Sequence, residues 1–170
     1  MIQIFQLFFI RPTLALLWLL FLPVFGNSQS LAYKTLLSGI YEKDFPLIHP
    51  EEIKDLNQYQ VLDTREWEEY QVSHLPGAIW VGYETFSLEN LKNVDKNKPV
   101  IVYCSVGARS QDIGKKLQNQ GFSDVYNLYG GIFHWVNEEN PIVSNGKPTD
   151  RVHTYSKTWS IWLNKGQKVY

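Results

Sequence analysis

The sequence predicts an α/β domain with a central, mostly parallel sheet. Apolar segments alternate with stretches of helical spacing between residues 46 and 137, which is the pattern of strands connected by helices. The segment from Pro99 to Tyr103 is apolar throughout, as expected of a strand at the centre of a parallel sheet. Ligands of such sheets bind beyond the carboxyl ends of the strands, so residues that follow a strand are the first candidates for a functional site.

Local signals place the elements in order along the chain. Pro50 suits the first turn of a helix, and the two acidic residues after it favour the helix dipole. Ser110 is predicted to cap the helix after the fourth strand, and Gly121 to end it. Residues 31–46 are a lead-in without predicted structure. Strands are predicted at residues 46–48, 59–62, 78–81, 99–103 and 123–128, and helices from Pro50 onward and at 66–71, 86–91, 111–119 and 132–137.

Residues 144–170 form a C-terminal extension rather than a second domain. The sequence Asn-Gly-Lys-Pro at 145–148 interrupts the regular pattern. Beyond it, Tyr155, Trp159 and Trp162 have the i, i+4, i+7 spacing of one helical face. Aromatic stripes usually belong to cores, so the extension is predicted to pack back on the domain; a patch that binds a partner is the alternative.

Residues 1–30 have the composition of a secretory signal peptide. Arg11 precedes an apolar block at 14–25, and the small residues Ser28 and Ser30 suggest cleavage after Ser30. The block is shorter than the roughly 20 apolar residues that a membrane span needs. Cleavage predicts an exported protein, and a bacterial periplasm is the location that fits best. Contact with the membrane is then expected only during export. An uncleaved N-terminal anchor is the alternative.

Charge and residue counts exclude several function classes. Removal of residues 1–30 takes Arg11 from the 16 basic residues and leaves all 17 acidic ones, a formal charge of −2. Without a basic surplus, neither nucleic acid nor an anionic membrane surface is an expected partner. One cysteine, Cys104, can form no disulfide within the chain. The four histidines show no zinc-type spacing, so no metal or other cofactor is predicted: His49, His74, His134 and His153.

Cys104 stands where chemistry is most expected, at the carboxyl end of the predicted central strand. A short loop and then a helix follow it, so backbone N–H groups and the positive end of a helix should surround the thiol. Such surroundings bind anions and favour the thiolate over the thiol. A small apolar core residue is the alternative reading of a lone cysteine. The loop residues predicted to surround a group on the sulfur are Ser105, Val106, Gly107, Ala108, Arg109 and Ser110.

Four motifs together resemble the rhodanese, or sulfurtransferase, homology domain in its single-domain form. They are an Asp-x-Arg strand end at 61–66, a His-Leu-Pro-Gly-Ala turn at 74–79, the cysteine strand and loop at 100–110, and a Gly-Gly-x-x-x-Trp helix at 128–135 followed by Pro-Ile-Val. Each motif is weak alone. Their order and intervals between about residues 47 and 143 make the resemblance strong.

The resemblance implies a fold with helices on both faces of the sheet and a reaction in two steps. Cys104 would take the outer sulfur of a donor such as thiosulfate as a persulfide and pass it to cyanide or a thiol. Arg109 would contact the oxyanion of the donor, and Ser110 would touch the persulfide or cap the helix. Asp63 and Arg65 would organise the site from beside it.

Other functions remain open at this stage. Thiolate phosphatases place five residues between cysteine and arginine, whereas four separate Cys104 from Arg109, so a phosphatase or arsenate reductase is the lesser enzyme alternative. A carrier of persulfide, or a rhodanese-like interaction module without turnover, is the main non-enzymatic alternative. A redox sensor is disfavoured because no second cysteine is present to resolve a sulfenic acid.

Overall fold

A computed structural model describes residues 30–170. The predicted signal peptide therefore lies outside the described residues, except for Ser30. The helices are α1 Leu31–Ile40, α2 Trp67–Val72, α3 Ala108–Asn119 and α4 Gly131–Asn137. The strands are β1 Leu47–Ile48, β2 Gln60–Asp63, β3 Ile79–Trp80, β4 Val100–Tyr103, β5 Val125–Leu128, β6 Ile142–Ser144, β7 Lys147–Thr149, β8 Arg151–His153 and β9 Gln167–Val169. Single turns of 3-10 helix occur at Pro50–Glu52, Leu56–Gln58, Leu88–Leu91 and Trp159–Trp162.

The central sheet has five strands in the order β1-β5-β4-β2-β3, and all its pairings are parallel. The uniformly apolar β4 lies in the middle, and all four of its residues are buried. Because successive side chains on a strand point to opposite faces, Ile101 and Tyr103 join one core cluster while Val100 and Val102 join the other. The predicted α/β class with a central parallel sheet is confirmed.

Helices cover both faces of this sheet. α1 and α4 bury their apolar side chains in the cluster that contains Ile101 and Tyr103. On the opposite face, α3 contributes Ile113 and Leu117 to the second cluster. This layering places the N-terminus of α3 directly after the carboxyl end of β4. Among residues 30–170, no helix has the length and apolar character needed to cross a membrane.

The lead-in, for which no structure was predicted, is ordered, and two predicted helices differ from expectation. Residues 31–40 form α1, whose Tyr33 and Leu37 are buried in the core, so the lead-in is an integral part of the fold. The helices predicted from Pro50 and at 86–91 are only single 3-10 turns. Each turn buries only one residue, Pro50 or Leu91, so neither has the apolar face whose packing would stabilise a longer helix.

The C-terminal extension packs on the domain, but not as a helix. β6 and β7 form a hairpin, and β8 pairs with β9 in parallel. Val152 and Leu163 are buried in the same core cluster as α1 and α4, and the Trp162 ring stacks on Tyr33 at 5.3 Å. Trp159 and Trp162 share one 3-10 turn, but the predicted α-helical face does not extend to Tyr155, where the chain turns sharply with a φ of 62°.

Candidate active site

The loop after β4 is held through its carbonyl groups, which accept hydrogen bonds from distant parts of the chain. The N–H groups of Ile132 and Phe133 in α4 donate to the carbonyls of Cys104 and Ser105 at 2.9 and 3.2 Å. The Tyr41 hydroxyl donates to the next carbonyl, that of Val106, at 2.6 Å. These three hydrogen bonds hold consecutive carbonyls of the loop from two other parts of the chain.

Cys104 accepts a hydrogen bond from one amide of the same loop. The Gly107 N–H donates to Cys104 Sγ at 3.1 Å, and the cysteine residue is only 1% exposed. α3 begins at the next residue, and the N–H groups of its first turn have no acceptor within the helix. A concavity of successive amides at the start of a helix stabilises an anion. The loop and the start of α3 therefore suit an anionic group bound at the sulfur of Cys104.

Gly107 is required for this geometry by both conformation and space. Its φ is 107°, in the region that favours glycine, and a Cβ there would collide with the ring and hydroxyl of Tyr41. The same hydroxyl accepts the Gly130 N–H at 2.7 Å. Tyr41, in the segment after α1, thus joins the cysteine loop to the turn before α4. No local sequence signal marked Tyr41, because its partners lie far along the chain.

Ser110 does not cap α3. Its hydroxyl donates to Asn127 Oδ1 at 2.7 Å, and Asn127 Nδ2 donates to the Gly107 carbonyl at 2.8 Å. The N-cap position belongs to Gly107 in a left-handed conformation. Asn127 on β5 therefore joins the first turn of α3 to the cysteine loop, and the capping prediction is wrong.

Arg109 is committed to Glu69 on α2. Its two terminal nitrogens donate to Glu69 Oε2 and Oε1 at 2.8 and 3.0 Å, and one of them also reaches Ser105 Oγ at 3.2 Å. Ser105 Oγ in turn donates to Glu69 Oε1 at 3.1 Å. The contact predicted between Arg109 and a donor oxyanion stays a prediction. The observed bonds give this guanidinium a role in positioning the loop.

Electrostatics reinforce the Arg109–Glu69 pair. Burial raises the pKa of Glu69, but the hydrogen bonds and charge of Arg109 outweigh it, and the net pKa lies below its ordinary value. Burial lowers the pKa of Arg109, but its bonds to Glu69 and its proximity to Cys104 raise the net value. Both groups are therefore charged in the folded protein. Sequence reasoning missed Glu69, which is the buried member of three closely spaced glutamates at 66–69.

Asp63 and Arg65 lie in a buried network beside the loop and do not line the pocket around Cys104. Arg65 donates from Nη2 to Asp63 Oδ2 and to the Ser73 carbonyl, both at 2.6 Å. The Tyr103 hydroxyl also donates to Asp63 Oδ2, at 2.6 Å. Since Tyr103 immediately precedes Cys104, this network joins the end of β4 to the end of β2 and to Ser73 at the C-terminal end of α2.

The pocket next to the thiol includes residues of the C-terminal extension. It has a volume of about 230 Å³ and is lined by residues of the loop together with two aromatic residues of the C-terminal extension, Tyr155 and Trp159. Tyr155 also lies over the guanidinium of Arg109, with 5.3 Å between Arg109 Cζ and the ring centroid. Sequence reasoning noted these aromatics as a packing stripe but not as part of the site. Within residues 30–170, no group of three or more metal-ligating side chains comes together.

Comparison with known proteins agrees with this arrangement. The rhodanese-like domain family matches residues 49–138, more than half of the chain. The chain belongs to the rhodanese-like domain family. The resemblance inferred from the four motifs is thereby confirmed, and the cysteine loop lies within the matched segment of this rhodanese domain.

Individual relatives include enzymes of two kinds. A thiosulfate sulfurtransferase GlpE of Coxiella burnetii is 36% identical over 75 residues, which cover 44% of this chain and 69% of that protein. A tRNA uridine(34) hydroxylase of Cytophaga hutchinsonii is 35% identical over 99 residues, or 56% of this chain but only 32% of that protein. Sulfur transfer is thus an activity of relatives of this rhodanese domain.

Solved structures agree on the fold. A thiosulfate sulfurtransferase from Pseudomonas aeruginosa superposes with a TM-score of 0.55 at 28% identity, covering 71% of this chain and 24% of that one. The BH2092 protein from Bacillus halodurans has a TM-score of 0.54 at 23% identity, covering 68% of this chain and 85% of that one. The second similarity shows the rhodanese fold alone.

Proposed function

We propose that this protein transfers sulfane sulfur from a donor such as thiosulfate to cyanide or a thiol through a persulfide on Cys104. The observation that carries the proposal is the loop whose carbonyls are held by distant residues while the Gly107 amide donates to Cys104 Sγ at 3.1 Å. Such a loop stabilises a negatively charged terminal sulfur. The similarity to proteins named thiosulfate sulfurtransferase supports thiosulfate as the donor.

The first half-reaction loads the enzyme. The Cys104 thiolate attacks the outer sulfur of thiosulfate, a new S–S bond forms, and the electron pair of the broken S–S bond leaves on sulfite. In the second half-reaction the acceptor attacks the terminal sulfur, and the electron pair returns to Cys104 Sγ. Because the first product leaves before the acceptor reacts, ping-pong kinetics are expected.

A mass measurement tests the first step. After treatment with thiosulfate, the peptide that contains Cys104 should gain one sulfur atom, and cyanide should remove it with formation of thiocyanate. Cys104→Ser should show neither change. Sulfur loading without turnover on any acceptor would favour a persulfide carrier over an enzyme. No loading of the folded wild-type protein would refute the proposal.

Export belongs to the same proposal and rests on the composition of residues 1–30. The intact mass of the protein recovered outside the cytoplasm tests it. Cleavage after Ser30 should give a chain that begins at Leu31. A recovered chain that retains residues 1–30 would instead support an N-terminal anchor.

A further inference from the structure

Two aromatic residues from outside the family-matched segment share the pocket with Cys104. The match ends at residue 138, whereas Tyr155 and Trp159 follow β8 in the C-terminal extension. Their rings belong to a cavity of about 230 Å³, somewhat below the range of about 300–1,000 Å³ that is usual for drug-sized ligands. The cavity therefore has room for a small organic molecule bound next to the sulfur.

Tyr155 holds its position at a conformational cost. Its φ is 62°, and the Ser156 N–H donates to the Thr154 carbonyl at 2.6 Å, which closes a γ-turn around Tyr155. Thr154 is fixed in turn by two hydrogen bonds to the Val169 carbonyl. Yet Tyr155 is 59% exposed, so core packing does not explain the strained turn. Strain of this kind concentrates at functional sites.

Away from the loop amides at the sulfur, the charges of the pocket do not favour an anionic ligand body. Arg109 is the one charged residue among the described residues that line the cavity, and its terminal nitrogens are bonded to Glu69. One face of its guanidinium is also covered by Tyr155. The remaining walls include Val106, Ala108 and Trp159. A sulfonate or carboxylate finds no unpaired cation there, whereas an apolar group finds aromatic and aliphatic surface.

We infer that Tyr155 and Trp159 are specificity-determining residues that select an acceptor thiol with an apolar, preferably aromatic, body. The inference rests on the proposed function and names the acceptor class of the second half-reaction. The thiolate of the acceptor attacks the terminal sulfur of the Cys104 persulfide, and a new S–S bond forms on the acceptor. The bond to Cys104 Sγ breaks, with its electron pair returning to that sulfur, so no external oxidant or reductant is needed.

The test follows discharge of protein first loaded with thiosulfate and confirmed by mass. The two acceptors are phenylmethanethiol and 2-mercaptoethanesulfonate, whose thiols have similar basicity but whose bodies are apolar and anionic. For each acceptor, the second-order rate constant with the loaded protein is divided by its rate constant with a small-molecule persulfide, which removes the intrinsic reactivity of the thiol. The corrected ratio is this quotient for phenylmethanethiol over that for 2-mercaptoethanesulfonate. In the wild type the corrected ratio should favour phenylmethanethiol at least about tenfold, the size expected from an aromatic contact plus burial of apolar area.

Variants then test whether Tyr155 and Trp159 cause the preference for the apolar acceptor. Tyr155→Ala and Trp159→Phe should each lower the corrected ratio, by about tenfold for the full truncation at Tyr155 and less for the smaller change at Trp159. Ile161→Ala is the matched control, because Ile161 is 61% exposed in the same 3-10 turn as Trp159 but does not line the cavity. Its ratio should equal that of the wild type.

The outcomes separate the two proposals. Suppose that Cys104 is loaded but the corrected ratio is near one, or that Tyr155→Ala leaves the ratio unchanged. Either result overturns the inference about Tyr155 and Trp159, while the proposed function stands. A protein that cannot be loaded at Cys104 overturns both.

Discussion

Glu69→Gln is expected to destabilise the fold by leaving the Arg109 guanidinium without its carboxylate. Removing one partner of a buried ion pair typically costs about 3–5 kcal/mol. The Glu69 side chain is 3% exposed, but that of Arg109 is 18% exposed, so water can compensate part of the loss. We therefore expect a decrease near the low end, about 3 kcal/mol in the free energy of unfolding. Domains of this kind have only about 5–15 kcal/mol in total, so urea unfolding resolves such a change easily.

The effect should depend on pH with a defined sign. The folded-state pKa of Glu69 lies below 4.5, so the folded protein binds this proton less tightly than the unfolded chain. The stabilisation is complete above pH 4.5 and is lost as the pH falls through the folded-state pKa. The difference between wild type and Glu69→Gln should accordingly shrink in acid. Glu68→Gln is the matched control, since Glu68 is exposed on the same helix and should change stability by less than about 0.5 kcal/mol.

A double-mutant cycle completes this test. Arg109→Met removes the charge that Glu69→Gln leaves unpaired, so the double variant should lose less stability than the sum of the single variants. Additive losses, or a loss at Glu69 that is independent of pH, would show that the pair does not stabilise the loop as described.

Three further outcomes are expected. Arg109→Ala should slow sulfur loading about tenfold or more from thiosulfate and from an alkyl hydropersulfide, which has no sulfonate group, alike, because the Arg109 N–H groups are used on the Glu69 carboxylate; a loss confined to thiosulfate would restore the oxyanion contact. Gly107→Ala should impair loading more than Gly121→Ala, since both have positive φ but only Gly107 abuts Tyr41; equal loading rates would contradict this. Burial lowers the pKa of His134 from 6.5 to about 4, so the free energy of unfolding should fall as the pH drops from 6.5 to 4. In urea unfolding, His134→Phe should make the free energy of unfolding less dependent on pH over this range.

The sequence predicted those parts of the fold whose signal is local. The apolar run that became Val100–Tyr103 was predicted to within one residue, because a strand buried on both faces needs no polar alternation. The position of Cys104 at the end of that strand followed from the same run. Gly107 could be read as a loop residue because it lies between that strand and the following helix.

The partners of the site could not be predicted, because they depend on which elements meet in space. Ser110 bonds to Asn127, 17 residues away, and Arg109 bonds to Glu69, 40 residues away. The spacing of Tyr155 and Trp159 fitted a helix, yet the γ-turn and the pairing of β8 with β9 produced a different path. Side-chain periodicity describes one continuous element and is misleading where the chain reverses within it.

The hydroxyl of Tyr41 and the ring of Tyr155 limit which segments of this rhodanese domain can be exchanged between relatives. Both belong to chain that flanks residues 49–138, one before and one after, and both reach the same short loop. Exchange of the C-terminal flank between relatives would change the aromatic surface beside the sulfur, whereas exchange of the N-terminal flank would also disturb the loop that Tyr41 holds. An excised core limited to the shared segment would lose the buried helix α1 and the Tyr41 support of the cysteine loop together with the ring of Tyr155.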